Sequence, residues 1–165
     1  TAIIAHNEPI VVPPNAGQVD YEGELTVVIK DCCRDVTEND ALNHVLGYTI
    51  GNDVSDRAAQ RGDGQWCRAK SFDTFCPFGP FIETDLNPDN VRIETRVNGQ
   101  LKQNSNTNDM IFGVRHLISF LSRSATLLPG DIIMTGTPQG VGPIKAGDVV
   151  EITIEGIGTL RNPVK

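Results

Sequence analysis

The sequence has no C-x-x-C pair: its four cysteines stand at 32, 33, 67 and 76, the first two adjacent. The thiolate spacing of a structural zinc site is therefore missing, and free thiols in a reducing compartment are expected. No apolar run approaches the about 20 residues that a helical membrane span requires, and no signal peptide is visible. These absences point to a cytoplasmic protein without a membrane partner. A mitochondrial location stays open, because a transit peptide that has been removed leaves no trace. Positive charge is scarce, with 14 Lys and Arg against 21 Asp and Glu and a formal net charge of −7. Phosphate backbones demand the opposite surplus, so nucleic acid is excluded as the main partner. An anionic small molecule is not excluded, since a metal and a few placed cations reverse the field locally. There is no initiator methionine, and Thr1 begins in mid-pattern, so a leading segment is expected to be absent.

What is present reads as one domain over residues 1–165, long enough for a real core. The 16 Gly and 10 Pro are scattered rather than clustered, which implies many turns and hence many short strands. Residues 1–19 form an extended lead-in. Glu24 to Lys30 is rich in β-branched residues and predicts a strand. Thr37 is placed to cap a short helix with Ala41, Leu42, Val45 and Leu46 on its apolar face and Gly47 at its end. A strand over 48–50 runs into Gly51-Asn52-Asp53, and 54–69 is loop with a short helix. Strands follow at 78–83, 91–97 and 101–105, the last two joined at Asn98-Gly99, a strong hairpin signal. Apolar residues at 111, 114, 117, 118 and 121 give a helical stripe over 110–121. Strands at 132–134, 148–155 and 159–164 complete the chain. The expected fold class is mainly β with short helices (α+β). A single rolled, barrel-like mixed sheet is favoured over a doubly wound α/β fold, because strands outnumber helices.

Three carboxylates carry the chemistry. Glu22 and Glu24 are two apart at the mouth of a strand, and residues i and i+2 of an extended chain share a face. Asp53 closes another strand, beside Gly51. Carboxylates crowded on one face repel unless a cation or proton lies among them. A hard divalent ion with oxygen ligands suits such a set, leaving positions for water and a bidentate substrate. Taken alone, an E-x-E pair is more often a solvated strand face than a ligand pair, and a lone Asp more often a turn residue.

The order of motifs narrows the reading. Asp20-Tyr-Glu-Gly-Glu-Leu-Thr-Val-Val-Ile29, Gly47-Tyr-Thr-Ile-Gly-Asn-Asp-Val-Ser55, Gln65-Trp-Cys-Arg-Ala-Lys-Ser-Phe-Asp-Thr-Phe75, Phe78-Gly-Pro80 and Thr135-Gly-Thr-Pro-Gln-Gly-Val-Gly142 occur in sequence. Together they resemble the catalytic C-terminal part of the fumarylacetoacetate hydrolase family, whose members include acylpyruvate hydrolases, oxaloacetate decarboxylases and catechol-pathway isomerases. The resemblance implies a rolled mixed β fold and a homodimer. It implies Glu22, Glu24 and Asp53 as ligands of Mg²⁺, with Mn²⁺ or Ca²⁺ as alternatives. It places Arg57, Gln60, Lys70 and Thr137 around a small 2-oxo acid such as fumarylpyruvate, acetylpyruvate or oxaloacetate, with Lys70 as the catalytic cation. The implied activity is metal-dependent C–C cleavage, by hydrolysis or decarboxylation. An isomerase of unsaturated 2-oxo diacids, or a non-catalytic truncated relative, is the alternative.

The family's hydrolases carry a His and a Glu three residues apart, upstream of these motifs, to activate water. No His-x-x-Glu pair occurs here; His6 is followed by Glu8 instead. Without that base the chain is expected to decarboxylate weakly and to hydrolyse poorly. Asp56 and Ala58 stand where many relatives have Ala and Asp, and Ala69 replaces a common Gly before Lys70. His44 and His116 are expected to be structural or solvated.

Overall fold

The structure is a computed structural model describing residues 1–165. Its strands are β1 (Ile3–Ile4), β2 (Val19–Tyr21), β3 (Gly23–Ile29), β4 (Val45–Asn52), β5 (Ser55–Asp56), β6 (Cys76–Glu83), β7 (Arg92–Val97), β8 (Gln100–Asn106), β9 (Ile132–Met134), β10 (Gly142–Pro143), β11 (Val149–Ile154) and β12 (Gly158–Pro163). Its helices are α1 (Arg57–Asp63), α2 (Cys67–Lys70) and α3 (Val114–Ser124). Strands dominate, as expected, and the sheet is mixed: β1 pairs parallel with β6, and the remaining named pairs are antiparallel. A five-stranded sheet runs β1-β6-β4-β3-β9, a four-stranded one β12-β11-β7-β8, and a small one β10-β2-β5. No helix is long and apolar enough to cross a membrane.

β3 is buried at all seven positions, because it is covered on both faces. Leu25, Val27 and Ile29 join Ile50, Ile152, Ile154 and Leu160 in one core between the two larger sheets. Each such side chain contributes about 1.5–3 kcal/mol on burial. The sheets pack tightly at Gly23. A Cβ there would lie 2.4 Å from Thr95 Oγ1 and 3.1 Å from Ile152 Cγ2, so a glycine is required between the two glutamates.

The Asn98-Gly99 hairpin is present, with φ of 52° and 76° at its two turn residues, the pattern of a type I′ turn. The helix expected around Ala41–Leu46 is not there. Only a 3₁₀ turn, Ala41–His44, forms, and Val45 already pairs with Ile29 in the β3–β4 ladder. Backbone pairing, continued by Lys30 N–H to His44 C=O at 2.8 Å, overrides the helical spacing of the apolar residues. Gly47 does not end a helix either. It lies within β4, where a Cβ would stand 2.5 Å from Glu83 C=O. α3 begins at Val114 rather than Met110, after Gly113 in extended backbone, and Ile111 is left exposed.

Candidate functional site

The register of β3 against β4 brings the carboxylates together. Glu24 pairs with Gly51 and Gly23 with Asn52, so Glu22 and Asp53 follow as neighbours at the same end. Two bonds zip that end: Asp53 N–H donates to Glu22 C=O at 2.9 Å, and Glu22 N–H to Asn52 Oδ1 at 2.9 Å. The result places carboxylate oxygens of Glu22, Glu24 and Asp53 all within 4.8 Å of one another. Glu22 and Glu24 are buried and Asp53 is half-buried.

Two cations brace them. Lys70, at the end of α2, donates Nζ to Glu22 Oε2 at 3.1 Å and to Asp53 Oδ2 in a very close contact. Arg57 donates Nη2 to Glu22 Oε1 at 2.6 Å, Nε to Asp20 Oδ2 at 2.7 Å and Nη1 to Gln60 Oε1 at 2.9 Å. Arg57 does not pair with Asp53 or Asp56, the partners nearest in sequence. Asp56 is occupied in capping α1, where Oδ1 accepts from Ala58 N–H at 2.8 Å and Ala59 N–H at 3.2 Å. That cap fixes Arg57 in the first turn, and Arg57 N–H bonds Gln18 C=O at 2.8 Å, which aims the guanidinium along β2.

Glu24 has a different environment. Its Oε2 accepts from Gly136 N–H at 2.7 Å. Burial, and to a lesser degree the charges of Asp53 and Glu22, push its pKa up to about 8, against the pull of Gly136 and Lys70. Burial also raises Asp53. Burial works to lower Lys70, but its contacts with Asp53 and Glu22 outweigh that and hold it above the ordinary lysine value. Four carboxylates, those of Asp20, Glu22, Glu24 and Asp53, thus face two cations, Arg57 and Lys70. With all four ionised, as metal ligation would require of Glu24, the formal difference of −2 matches one divalent ion.

Thr137 lies in the glycine-rich loop after β9. Its hydroxyl donates to Gly23 C=O at 3.0 Å and accepts from Gln103 Nε2 at 2.8 Å. It therefore touches the same β3 mouth through backbone. The loop borders a cavity of about 540 Å³ whose lining includes Leu25, Met110, Phe112, Gly136, Thr137 and Gln139. Gly136 joins this cavity to Glu24. All seven residues singled out from sequence (Glu22, Glu24, Asp53, Arg57, Gln60, Lys70 and Thr137) fall in this one region. Asp20 and Gln103 were not anticipated. Asp20 continues the alternation of Glu22 and Glu24 and was legible in that period; Gln103, 80 residues from Gly23, leaves no local signal.

A curled mixed β-structure that collects acidic side chains, a lysine and an arginine beside a partly apolar cavity defines the class of protein: a β-rolled domain with an acidic centre braced by cations. The chain belongs to the fumarylacetoacetate hydrolase family, whose model for the "Fumarylacetoacetate (FAA) hydrolase C-terminal" matches residues 1–165. A solved structure described as 5-carboxymethyl-2-hydroxymuconate delta-isomerase from Mycobacterium smegmatis is 57% identical with a TM-score of 0.98, covering 99% of this chain and 65% of that one. Oxaloacetate tautomerase fahd2, mitochondrial, of Xenopus laevis is 44% identical over 99% of this chain and 55% of its own length. The fumarylpyruvate hydrolase of Pseudomonas aeruginosa, solved in complex with Mn²⁺ and pyruvate, is 32% identical with a TM-score of 0.92, over 99% of this chain and 74% of that one. The chain thus spans between 55% and 74% of the length of these three proteins.

Proposed function

We propose that this chain is the catalytic domain of an enzyme that binds a divalent cation at Glu22, Glu24 and Asp53 and breaks a C–C bond in a small acylpyruvate or 2-oxo dicarboxylic acid. The observation that carries the reading is the convergence of three carboxylates within 4.8 Å. The donor set fits: all three ligands are carboxylate oxygens, and a hard ion such as Mg²⁺, Mn²⁺ or Ca²⁺ takes them. The Pseudomonas hydrolase, with Mn²⁺ and pyruvate bound, supports both the ion class and the 2-oxo acid class. When bound, the ion supplies a Lewis acid that draws electron density toward the oxygens of a 2-oxo acid.

The residues of the chain do the rest. Lys70, charged and only partly exposed, opposes negative charge that develops on the substrate as a bond breaks. Arg57, held by Asp20 and Gln60, keeps its fork beside Glu22, where it suits a substrate carboxylate. Thr137 anchors the glycine-rich loop to Gly23, so that the loop walls the cavity that receives the remainder of the acid.

Hydrolysis additionally needs a base to activate water. The three histidines are engaged elsewhere: His6 with Arg161, His44 with Asp31, and His116 with Glu38. Decarboxylation of oxaloacetate needs charge stabilisation and no nucleophile. With Mg²⁺, the purified chain is expected to release carbon dioxide from oxaloacetate faster than it cleaves acetylpyruvate. The reverse ranking overturns that assignment, and Mg²⁺ binding with turnover of neither acid marks a non-catalytic relative.

A second reading, proton shift without bond cleavage, draws on the same charge-stabilising centre and on the isomerase and tautomerase among the relatives. It predicts deuterium uptake at C3 of oxaloacetate in heavy water without loss of carbon dioxide. A homodimer completes the proposal.

A further inference from the structure

A second cluster of ligand-type side chains lies beyond the opposite end of β3. Asp31 and Cys33 follow the strand two residues apart, and His44 closes the 3₁₀ turn before β4. Their ligand atoms all lie within 4.8 Å of one another. His44 Nδ1 and Asp31 Oδ1 are 2.5 Å apart, and no other named partner holds either group. The backbone fixes all three. Lys30 N–H bonds His44 C=O at 2.8 Å, and Cys33 pairs with Leu127 through N–H to C=O bonds of 3.0 and 2.9 Å in the two directions. Asp31 and His44 are partly exposed, so an ion reaches them from solvent, while Cys33 closes the inner side.

We infer that Asp31, Cys33 and His44 form a second metal site, selective for a borderline transition ion of the Zn²⁺ or Co²⁺ class rather than for Mg²⁺. One carboxylate oxygen, one imidazole nitrogen and one thiolate make a mixed donor set. The sulfur disfavours hard ions and matches tetrahedral zinc-type coordination. Ligand bonds of about 2.0–2.3 Å put ligand atoms roughly 3–4 Å apart, so the cluster closes on an ion by side-chain adjustment alone. Three protein ligands leave a fourth position for water. Binding displaces the thiol proton of Cys33 to solvent, and the imidazole of His44 ligates through an unprotonated ring nitrogen. No sequence motif marks the site, because its histidine stands 13 residues from Asp31 and only the β3–β4 return brings it back. The ion would clamp the end of the central hairpin farthest from Glu22 and Asp53.

The test is a Co²⁺ titration of the chain with Mg²⁺ in excess, followed by absorbance. A thiolate-to-cobalt charge-transfer band with tetrahedral ligand-field intensity, saturating at one Co²⁺ per chain and bleached by Zn²⁺, is expected. Cys33→Ser removes the band, His44→Asn and Asp31→Asn weaken its titration, and Cys32→Ser leaves it unchanged. Absence of a charge-transfer band in the unaltered chain overturns the inference, as does a band that survives Cys33→Ser or vanishes in Cys32→Ser. Far-ultraviolet dichroism checks that Cys33→Ser is folded. If it is not, the decision rests on the unaltered chain together with His44→Asn, whose unchanged titration also overturns the site. Co²⁺ on the carboxylates alone yields no charge-transfer band, so this result is independent of the proposed activity.

Discussion

At Glu24, burial and two neighbouring carboxylates act in the same direction, and the side chain keeps its proton up to about pH 8. In the unfolded chain it loses that proton near the ordinary glutamate value of 4.5. Between these limits the folded state binds the extra proton, so stability declines as pH rises. Burial of Asp53 adds to the same trend. Urea unfolding of the metal-free chain is therefore expected to show stability greatest at the acid end of this window and falling toward pH 8. Saturating Mg²⁺ is expected to flatten that fall, because the ion takes the place of the proton. A metal-free stability that rises across the window would contradict the electrostatics of the site. Cys76 gives a second residue-scale check. Burial first, then the charges of Asp53 and Glu24, push its thiol up to about 11. Iodoacetamide at pH 8 is expected to label exposed Cys32 and Cys67 well before Cys76, with mass spectrometry reading the order.

At the scale of elements, the site depends on one crossing. β3 meets β7 and β11 at Gly23, and Gln103 on β8 ties that crossing to the glycine-rich loop. Its Oε1 accepts from Gly23 N–H at 3.2 Å, and its Nε2 donates to Thr137 Oγ1 and Pro138 C=O at 2.8 and 2.9 Å. Gln103→Ala leaves the Gly23 amide buried without a partner, which costs about 1–3 kcal/mol. The urea midpoint should drop accordingly. Mg²⁺ affinity, read by calorimetry, should fall with it, because Gly136 loses its support and with it the bond to Glu24. Sequence patterns located most elements but misread one. The Ala41–Leu46 stretch has helical spacing, yet Val45 is drawn into the ladder with Ile29. Local periodicity is a weak preference there, and strand pairing across the core is the stronger interaction.

For the whole molecule, the two larger sheets enclose a core that leaves several large apolar side chains on the surface, among them Trp66, Phe81, Ile111, Phe112 and Phe120. Phe112, His116 and Phe120 stack along one side of α3, with ring centroids 4.6 and 6.3 Å apart. Exposed aromatics of this kind fit association of two copies. Light scattering coupled to gel filtration is expected to return twice the chain mass of 17.9 kDa, and a concentration-independent monomer would remove the homodimer from the proposal.

The sequence by itself determined the class of fold, through short β-branched runs and scattered turn residues. It also put Glu22 and Glu24 on one face, since residues two apart in an extended chain share a side, whereas Asp53 joins them only through the β3–β4 register. Five ordered motifs were enough for the family. The tertiary structure decided what those groups meet. Arg57 passes over Asp56, its neighbour in the chain, to reach Asp20 and Glu22; Gln103 arrives from a separate sheet; and Asp31 finds His44 across a strand return. The physical reason is range. Side-chain alternation and turn preference act over a few residues and are written locally. Burial, charge pairing and cross-sheet hydrogen bonds join groups distant in the chain, and they exist only once the β3–β4 register has formed.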